Sequence, residues 1–129
     1  MTRACGGTIL IVDDHPDIGW LLCKLMSVRG HTVKAVQTSA AAVAAIQGYD
    51  CQVAVVDYRL PDGNGLDLMG RLTAIRPSLL IILMTSFGTP TLHKALKSIK
   101  LFAYFDKPFN NQDMVAAVEA AIEEAERRS

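Results

Sequence analysis

The sequence predicts an α/β protein, a doubly wound parallel sheet with helices on both faces. Its apolar runs are short and evenly hydrophobic: Ile9-Leu10-Ile11-Val12, Val53-Ala54-Val55-Val56, and Leu79 to Met84. Runs of that length without polar alternation are strands buried on both faces, as in a parallel sheet covered by helices. Segments of helical period lie between them, giving five strand-then-helix units whose right-handed crossovers wind around the sheet. Each run also ends in a residue capable of chemistry: Asp13-Asp14, Asp57 and Thr85, with Lys107-Pro108 after a further stretch from Phe102 to Asp106. Ligands bind outside the carboxyl ends of the strands in such sheets, so three carboxylates, a hydroxyl and an ammonium are expected to converge.

In chain order, the first strand runs into Asp13-Asp14, and an aspartate there could cap the next helix. His15-Pro16 opens that helix, where proline suits the first turn; Ile18, Leu21, Leu22, Leu25 and Val28 form its apolar stripe and Gly30 stops it. His31 to Val36 is a second, shorter strand. Ser39 to Gln47 is an alanine-rich helix anchored by Val43 and Ile46, with Gly48 as its expected cap. The third strand ends at Asp57. Leu66 to Ile75 forms a helix that stops at Arg76-Pro77, because the residue before proline avoids helical geometry. After the strand ending in Thr85, Thr89-Pro90 caps and starts a helix carrying Leu92, Ala95, Leu96 and Ile99. Phe102 to Asp106 is the fifth strand. Asn110 caps a last helix buried through Met114, Val115, Val118 and Ile122, and Glu123 and Glu124 stand four residues before Arg127 and Arg128, extending it toward the end.

With 129 residues, half of them hydrophobic, the chain can bury one core, so residues 1–129 are read as a single domain with its core at about 8–126. Thirteen basic residues balance thirteen acidic ones, which leaves no field to recruit nucleic acid or anionic lipid. No stretch approaches the ~20 apolar residues of a membrane helix, and no signal-peptide pattern precedes the first strand, so a soluble cytoplasmic protein is expected. Cys5, Cys23 and Cys51 have no CxxC spacing and read as free thiols.

Carboxylates at adjacent strand ends need compensation. Two like charges ~4 Å apart cost about 4 kcal/mol at an effective dielectric of 20. Lys107 can offset one. A hard divalent cation with oxygen ligands accounts for the rest, and a few carboxylates plus water suit Mg²⁺. The missing ligand is then an anion with its own oxygens, and a phosphoryl group fits a site that offers metal, lysine and hydroxyl.

Taken together, these residues resemble the receiver domain of two-component signalling, the chemotaxis-receiver-like phosphoacceptor module of response regulators. The resemblance rests on Asp13-Asp14, Asp57, Thr85 and Lys107-Pro108-Phe109 in order, and on the loop from Asp57 to Gly65, with Pro61 four and Gly65 eight residues past the aspartate. It implies a flavodoxin-like three-layer (βα)5 sandwich with strand order 2-1-3-4-5. It further implies that Asp57 accepts phosphate from a histidine kinase or histidine phosphotransfer protein. Asp13, Asp14, Asp57 and the backbone carbonyl of Arg59 would hold Mg²⁺, with Mn²⁺ as an alternative. Lys107 would bind a phosphoryl oxygen, and its bond to Pro108 would be cis. Thr85 would move onto the phosphoryl group and Tyr104 would turn inward, a two-state element biased by one new charged group. The module would be regulatory, with weak self-catalysed phosphotransfer and dephosphorylation, and not a metabolic enzyme. A degenerate receiver used only for binding is the alternative. A flavin carrier on the same fold would need a donor-rich phosphate loop where this chain has Asp13-Asp14.

Other positions carry secondary expectations. Trp20 points away from the apolar stripe, and in this family the first helix commonly docks the phosphodonor, so Trp20, Cys23 and Ser27 are candidate partner contacts. Lys94, Lys97 and Lys100 lie on one side of the fourth helix; with the fifth strand this is the surface where receivers commonly dimerise or meet an output partner. Lys100 stands where the family usually has the glycine that ends that helix, which places the helix end in question. Arg59 and Phe87 occupy positions that influence the attacking water, and apolar Phe87 predicts a long-lived phosphoaspartate. His15 and His93 read as surface residues and His31 as a strand start. No DNA-binding segment is present in the sequence.

Overall fold

The structure is a computed structural model that describes residues 6–86, 88–97 and 99–128. Its elements are β1 (Thr8–Val12), α1 (Pro16–Ser27), β2 (Thr32–Val36), α2 (Ser39–Gly48), β3 (Val53–Asp57), β4 (Arg59–Leu60), β5 (Gly63–Asn64), α3 (Gly65–Ile75), β6 (Leu80–Thr85), α4 (Pro90–Leu96), β7 (Ala103–Asp106) and α5 (Asn111–Arg128). Five strands form one parallel sheet in the order β2-β1-β3-β6-β7, which is 2-1-3-4-5 counted among the sheet strands alone. The expected fold is therefore the observed one.

Alternation along the strands divides the core. Leu10, Val12, Ala54, Val56, Ile81 and Leu83 face one layer, where Ala42 and Ile46 of α2 meet Leu68, Met69 and Leu72 of α3. Ile9, Ile11, Val53, Val55, Ile82 and Met84 face the other, packing on Leu22 and Met26 of α1 and on Met114, Val118, Ala121 and Ile122 of α5. β3 and β6 are buried along their whole length, as their unbroken apolar runs require. Edge strand β2 is exposed or half-buried at every position, so its mixed composition is that of a strand covered on one side only.

Helix starts follow their capping residues. The side chains of Thr38, Asn64, Thr89 and Asn110 accept the backbone N–H groups of Ala41, Asp67, Leu92 and Asp113, respectively. Asp62 adds to this from a distance: its two carboxylate oxygens accept the N–H groups of Ser39 at 2.8 Å and Ala40 at 3.0 Å, tying the loop after β3 to the start of α2. The same bonds hold the Asp62 carboxyl below its ordinary value.

Several local expectations are corrected. The cap of α1 is His15, without a side-chain cap bond, so the local alternative of a capping Asp14, secondary to the pocket reading, does not apply. The buried line of α1 is Gly19, Leu22 and Met26, with Ile18, Leu21 and Leu25 flanking it and Val28 fully turned to solvent, because the stripe drifts around the helix before Gly30 ends it in the left-handed region (φ 92°). Gly48 is the last residue of α2 and not a left-handed cap; extended Tyr49 ends that helix, and its hydroxyl lies 2.9 Å from the carbonyl of Ile9. α4 stops at Leu96, so Ile99 lies beyond it. The glycine that Lys100 replaces is thus not needed to cap a helix ending four residues earlier. The two-residue antiparallel ribbon β4-β5 has no counterpart in the periodicity.

His31 is more than a strand start. It is buried, its Nδ1 accepts the N–H of Gly7, and its Nε2 lies 2.9 Å from Glu119, which also receives Arg29 at 2.6 and 2.8 Å. Since Nδ1 accepts, Nε2 carries the proton and donates. The cluster joins the chain before β1, the entry to β2 and helix α5.

Candidate functional site

Strand pairing brings the singled-out residues together. β1 and β3 are neighbours in register, Val12 beside Val56, so Asp13 and Asp57 leave the sheet side by side. On the other flank Asp57 pairs with Met84, one residue before Thr85, and Thr85 pairs with Asp106, one residue before Lys107. The Lys107 N–H donates to the Thr85 carbonyl at 2.7 Å. The Lys107-Pro108 bond is cis, as expected.

The side chains converge in turn. Carboxylate oxygens of Asp13, Asp14 and Asp57, with a ring nitrogen of His15, lie within 4.8 Å of one another. Lys107 Nζ donates to Asp13 Oδ2 at 2.6 Å and to Asp57 Oδ2 at 2.9 Å, with the lysine side chain 7% exposed. One ammonium therefore serves two buried carboxylates. Burial opposes the Lys107 charge, but the bonds to Asp13 and Asp57 outweigh it and raise its proton affinity. Burial dominates at Asp57 and pushes its carboxyl up despite Lys107, with Asp13 adding to the rise. Asp57 Oδ1 also accepts the Arg59 N–H at 3.2 Å. Asp14 is the outer member, its side chain 39% exposed.

The loop after Asp57 is shaped by backbone bonds: Tyr58 N–H donates to the Met84 carbonyl and Gly65 N–H to the Tyr58 carbonyl, both at 2.7 Å. This return brings Gly65 so close that a Cβ there would stand 2.7 Å from the Asp57 carbonyl oxygen. Thr85 is fully buried. Tyr104 packs its ring partly against the α2–α3 layer, and its hydroxyl donates to Asp106 Oδ1 at 2.8 Å while standing 3.1 Å from His93 Nε2.

Sequence reading missed three participants. His15 reaches Asp13 with both its backbone N–H (2.8 Å) and Nδ1 (3.1 Å), and lies 3.2 Å from Asp14. His93 and Asp106 flank the Tyr104 hydroxyl. For His15 and Asp106 the signal was adjacency to Asp14 and Lys107; for His93 no linear pattern gives it away. Trp20 is 66% exposed on α1, as expected. Phe87 lies outside the described residues.

The donor set suits a hard divalent cation. Three carboxylates meet one ammonium, the donors are predominantly oxygens, and Asp14 is the partly exposed member, leaving room on that side for the water ligands that Mg²⁺ would keep.

Residues 9–119 match the family model of the response regulator receiver domain. The chain belongs to that family. As a receiver domain it is a regulatory module of two-component signal transduction. It is 34% identical over 122 residues to the transcriptional regulatory protein TcrA of Mycobacterium tuberculosis, covering 92% of this chain and 48% of that protein. It is 33% identical to the DNA-binding transcriptional regulator NtrC of Azospirillum brasilense, covering 89% of this chain and 24% of that one. The receiver thus spans half or less of these relatives. Among solved structures, a CheY-like response regulator receiver domain protein from Methanospirillum hungatei JF-1 superimposes with a TM-score of 0.89 at 25% identity, covering 96% of this chain and 99% of that one. Among the described residues no helix is long and apolar enough to cross a membrane.

Proposed function

We propose that this receiver, with residues 1–129 acting as one unit, is a phosphoacceptor switch in which Asp57 takes a phosphoryl group from a histidine kinase or histidine phosphotransfer protein. The observation that carries the reading is the buried Asp13–Lys107–Asp57 arrangement at the ends of β1, β3 and β7, which holds a carboxylate nucleophile beside a fixed cation. A carboxylate oxygen of Asp57 attacks phosphorus; the P–O bond forms as the P–N bond of the phosphohistidine breaks, and the leaving imidazole nitrogen takes up a proton from solvent. Lys107 is placed to neutralise a phosphoryl oxygen. Asp13, Asp14, Asp57 and the carbonyl of Arg59 would hold Mg²⁺, or Mn²⁺ in its place. When bound, the metal supplies charge neutralisation for the phosphoryl oxygens.

Asp57 loses charge toward its lysine when its oxygen becomes part of an acyl phosphate, and the new dianionic group draws the Thr85 hydroxyl and makes room for Tyr104. The surface around Tyr104 and α4 then changes and is read by an output partner or a second copy. A groove beside the pocket, walled by Ile18, Leu21, Lys107 and Pro108, offers a docking place for the donor on α1, the helix that also carries exposed Trp20. Donor and output are expected in the cytoplasm.

The test is intact-mass analysis after incubation with acetyl phosphate and Mg²⁺, alongside Asp57→Asn. A gain of one phosphoryl mass that requires both Mg²⁺ and Asp57 is expected. A folded protein that gains none, from acetyl phosphate or from a protein donor, would instead be a phosphorylation-independent binding module.

A further inference from the structure

We propose that His93 and Asp106 are positioning residues that pin the Tyr104 hydroxyl at the surface and so set how readily the receiver switches. The inference rests on the switch reading of Tyr104. Its content, however, comes from groups that reading does not use. The Tyr104 hydroxyl has one proton, and it goes to Asp106 Oδ1 at 2.8 Å. His93 Nε2, at 3.1 Å, must then be the donor to the phenolic oxygen, so the hydroxyl is held from both sides with its donor and an acceptor lone pair satisfied. The His93 ring also meets the Tyr104 ring edge-on, with centroids 5.3 Å apart and planes at 82°.

Backbone geometry fits the same purpose. Tyr104 and Asp106 are two residues apart on β7 and so point to one side of the strand, while His93 comes from α4. Gly88, in the loop between β6 and α4, clears the space where they meet. A Cβ there would stand 2.5 Å from Asp106 Oδ1, 2.8 Å from the Tyr104 hydroxyl and 3.0 Å from His93 Nε2. Burial first, and then the bond to Asp106, makes the hydroxyl reluctant to ionise, so it keeps its proton. Any inward turn of Tyr104 must break both bonds at once. Asp106 pairs with Thr85 in the sheet and precedes Lys107, so the acceptor of the pin is built into the strand that carries the pocket lysine.

The experiment compares the wild-type receiver with His93→Phe, which keeps an aromatic ring and removes the donor, His93→Gln, which restores an N–H of similar reach, and Asp106→Ala, which removes the acceptor. Each is titrated with beryllofluoride in saturating Mg²⁺, and the Tyr104 ring resonances, assigned with Tyr104→Phe, are followed by NMR before and after. Loss of one of the two bonds should tighten beryllofluoride binding about fivefold and move the free protein's Tyr104 resonances toward the bound position. His93→Gln should resemble wild type, and His93→Phe should have no effect in the Tyr104→Phe background. Unchanged affinity and resonances in His93→Phe and Asp106→Ala would overturn the proposal, as would an undiminished His93→Phe effect without the Tyr104 hydroxyl. If wild type itself does not bind beryllofluoride, the switch reading fails separately. The free-state resonances then decide the pin alone: displaced in the variants, it stands; unmoved, it falls.

Discussion

Lys107 Nζ lies closer to Asp13 Oδ2, at 2.6 Å, than to Asp57 Oδ2, at 2.9 Å. The lysine is thus anchored by Asp13, which does not react in the proposed phosphotransfer, and that anchor would keep it in the pocket even if its bond to Asp57 were lost. Removing the lysine strands two buried negative charges. Lys107→Met should lower stability by about 3 kcal/mol, since breaking one side of a buried ion pair leaves the other uncompensated. Urea unfolding with and without Mg²⁺ checks this: the deficit should shrink when a divalent cation is added.

Asp57 is the opposite case. Burial raises its carboxyl affinity for protons above the ordinary value, so the ionised form costs stability near neutral pH, and the cost falls as pH drops toward the raised value. Asp57→Asn should gain about 1 kcal/mol at pH 7.5, with the gain diminishing on acidification. Thermal melts across pH 5 to 8 would measure it, and a variant less stable at pH 7.5 would contradict the frustration argument.

Gly65 should tolerate nothing larger. Its hypothetical Cβ meets backbone at 2.7 Å, which no side-chain rotation relieves. Gly65→Ala is expected to cost about 2 kcal/mol and to slow acetyl phosphate labelling by displacing the strand end that holds Asp57. Wild-type denaturation and labelling would show that the loop yields more easily than its hydrogen bonds imply.

The Glu119 carboxyl, hydrogen-bonded first by Arg29 and then by His31, is held down to about 2 from 4.5. A depressed folded value stabilises the protein above about pH 4.5, and that contribution is lost as pH falls toward 2. Glu119→Gln should therefore flatten the acid limb of the stability curve between pH 5 and 2. Circular dichroism melts over that range are the measurement, and an unchanged acid limb would assign the loss to other carboxylates.

Trp20→Ala removes a side chain that is 66% exposed. Stability should change by no more than about 0.5 kcal/mol, and labelling by acetyl phosphate should be untouched. Phosphotransfer from a cognate protein donor, followed on the same preparation, should slow several-fold if α1 is the docking helix.

The sheet and the members of the pocket were legible because they depend on chain direction and order. Short apolar runs bounded by turn residues and alternating with helical segments fit central parallel strands, and residues placed just past Val12, Val56, Met84 and Asp106 then share one end of the sheet. Less legible were features set by distance across the fold. Nothing local marks Asp62 as a cap for α2, twenty-three positions back from it to Ser39, nor His93 as a partner of Tyr104. The α1 stripe misled at Val28 because 3.6-residue spacing carries that position round to solvent near the helix end. The β4-β5 ribbon escaped because four residues have no period.

Asp62 gives the molecule a rigid side and a compliant one. By tethering the loop beyond Asp57 to α2, it makes strand end, ribbon and helix a single braced frame. Across the pocket stands the seven-residue α4, entered through a loop containing Gly88 and joined to the Tyr104 hydroxyl of β7 through His93, while that hydroxyl is tied back to its own strand at Asp106. In the proposed switch, force generated at Asp57 would meet an abutment on one hand and a catch on the other, so that work done at the pocket would be channelled outward through a single door.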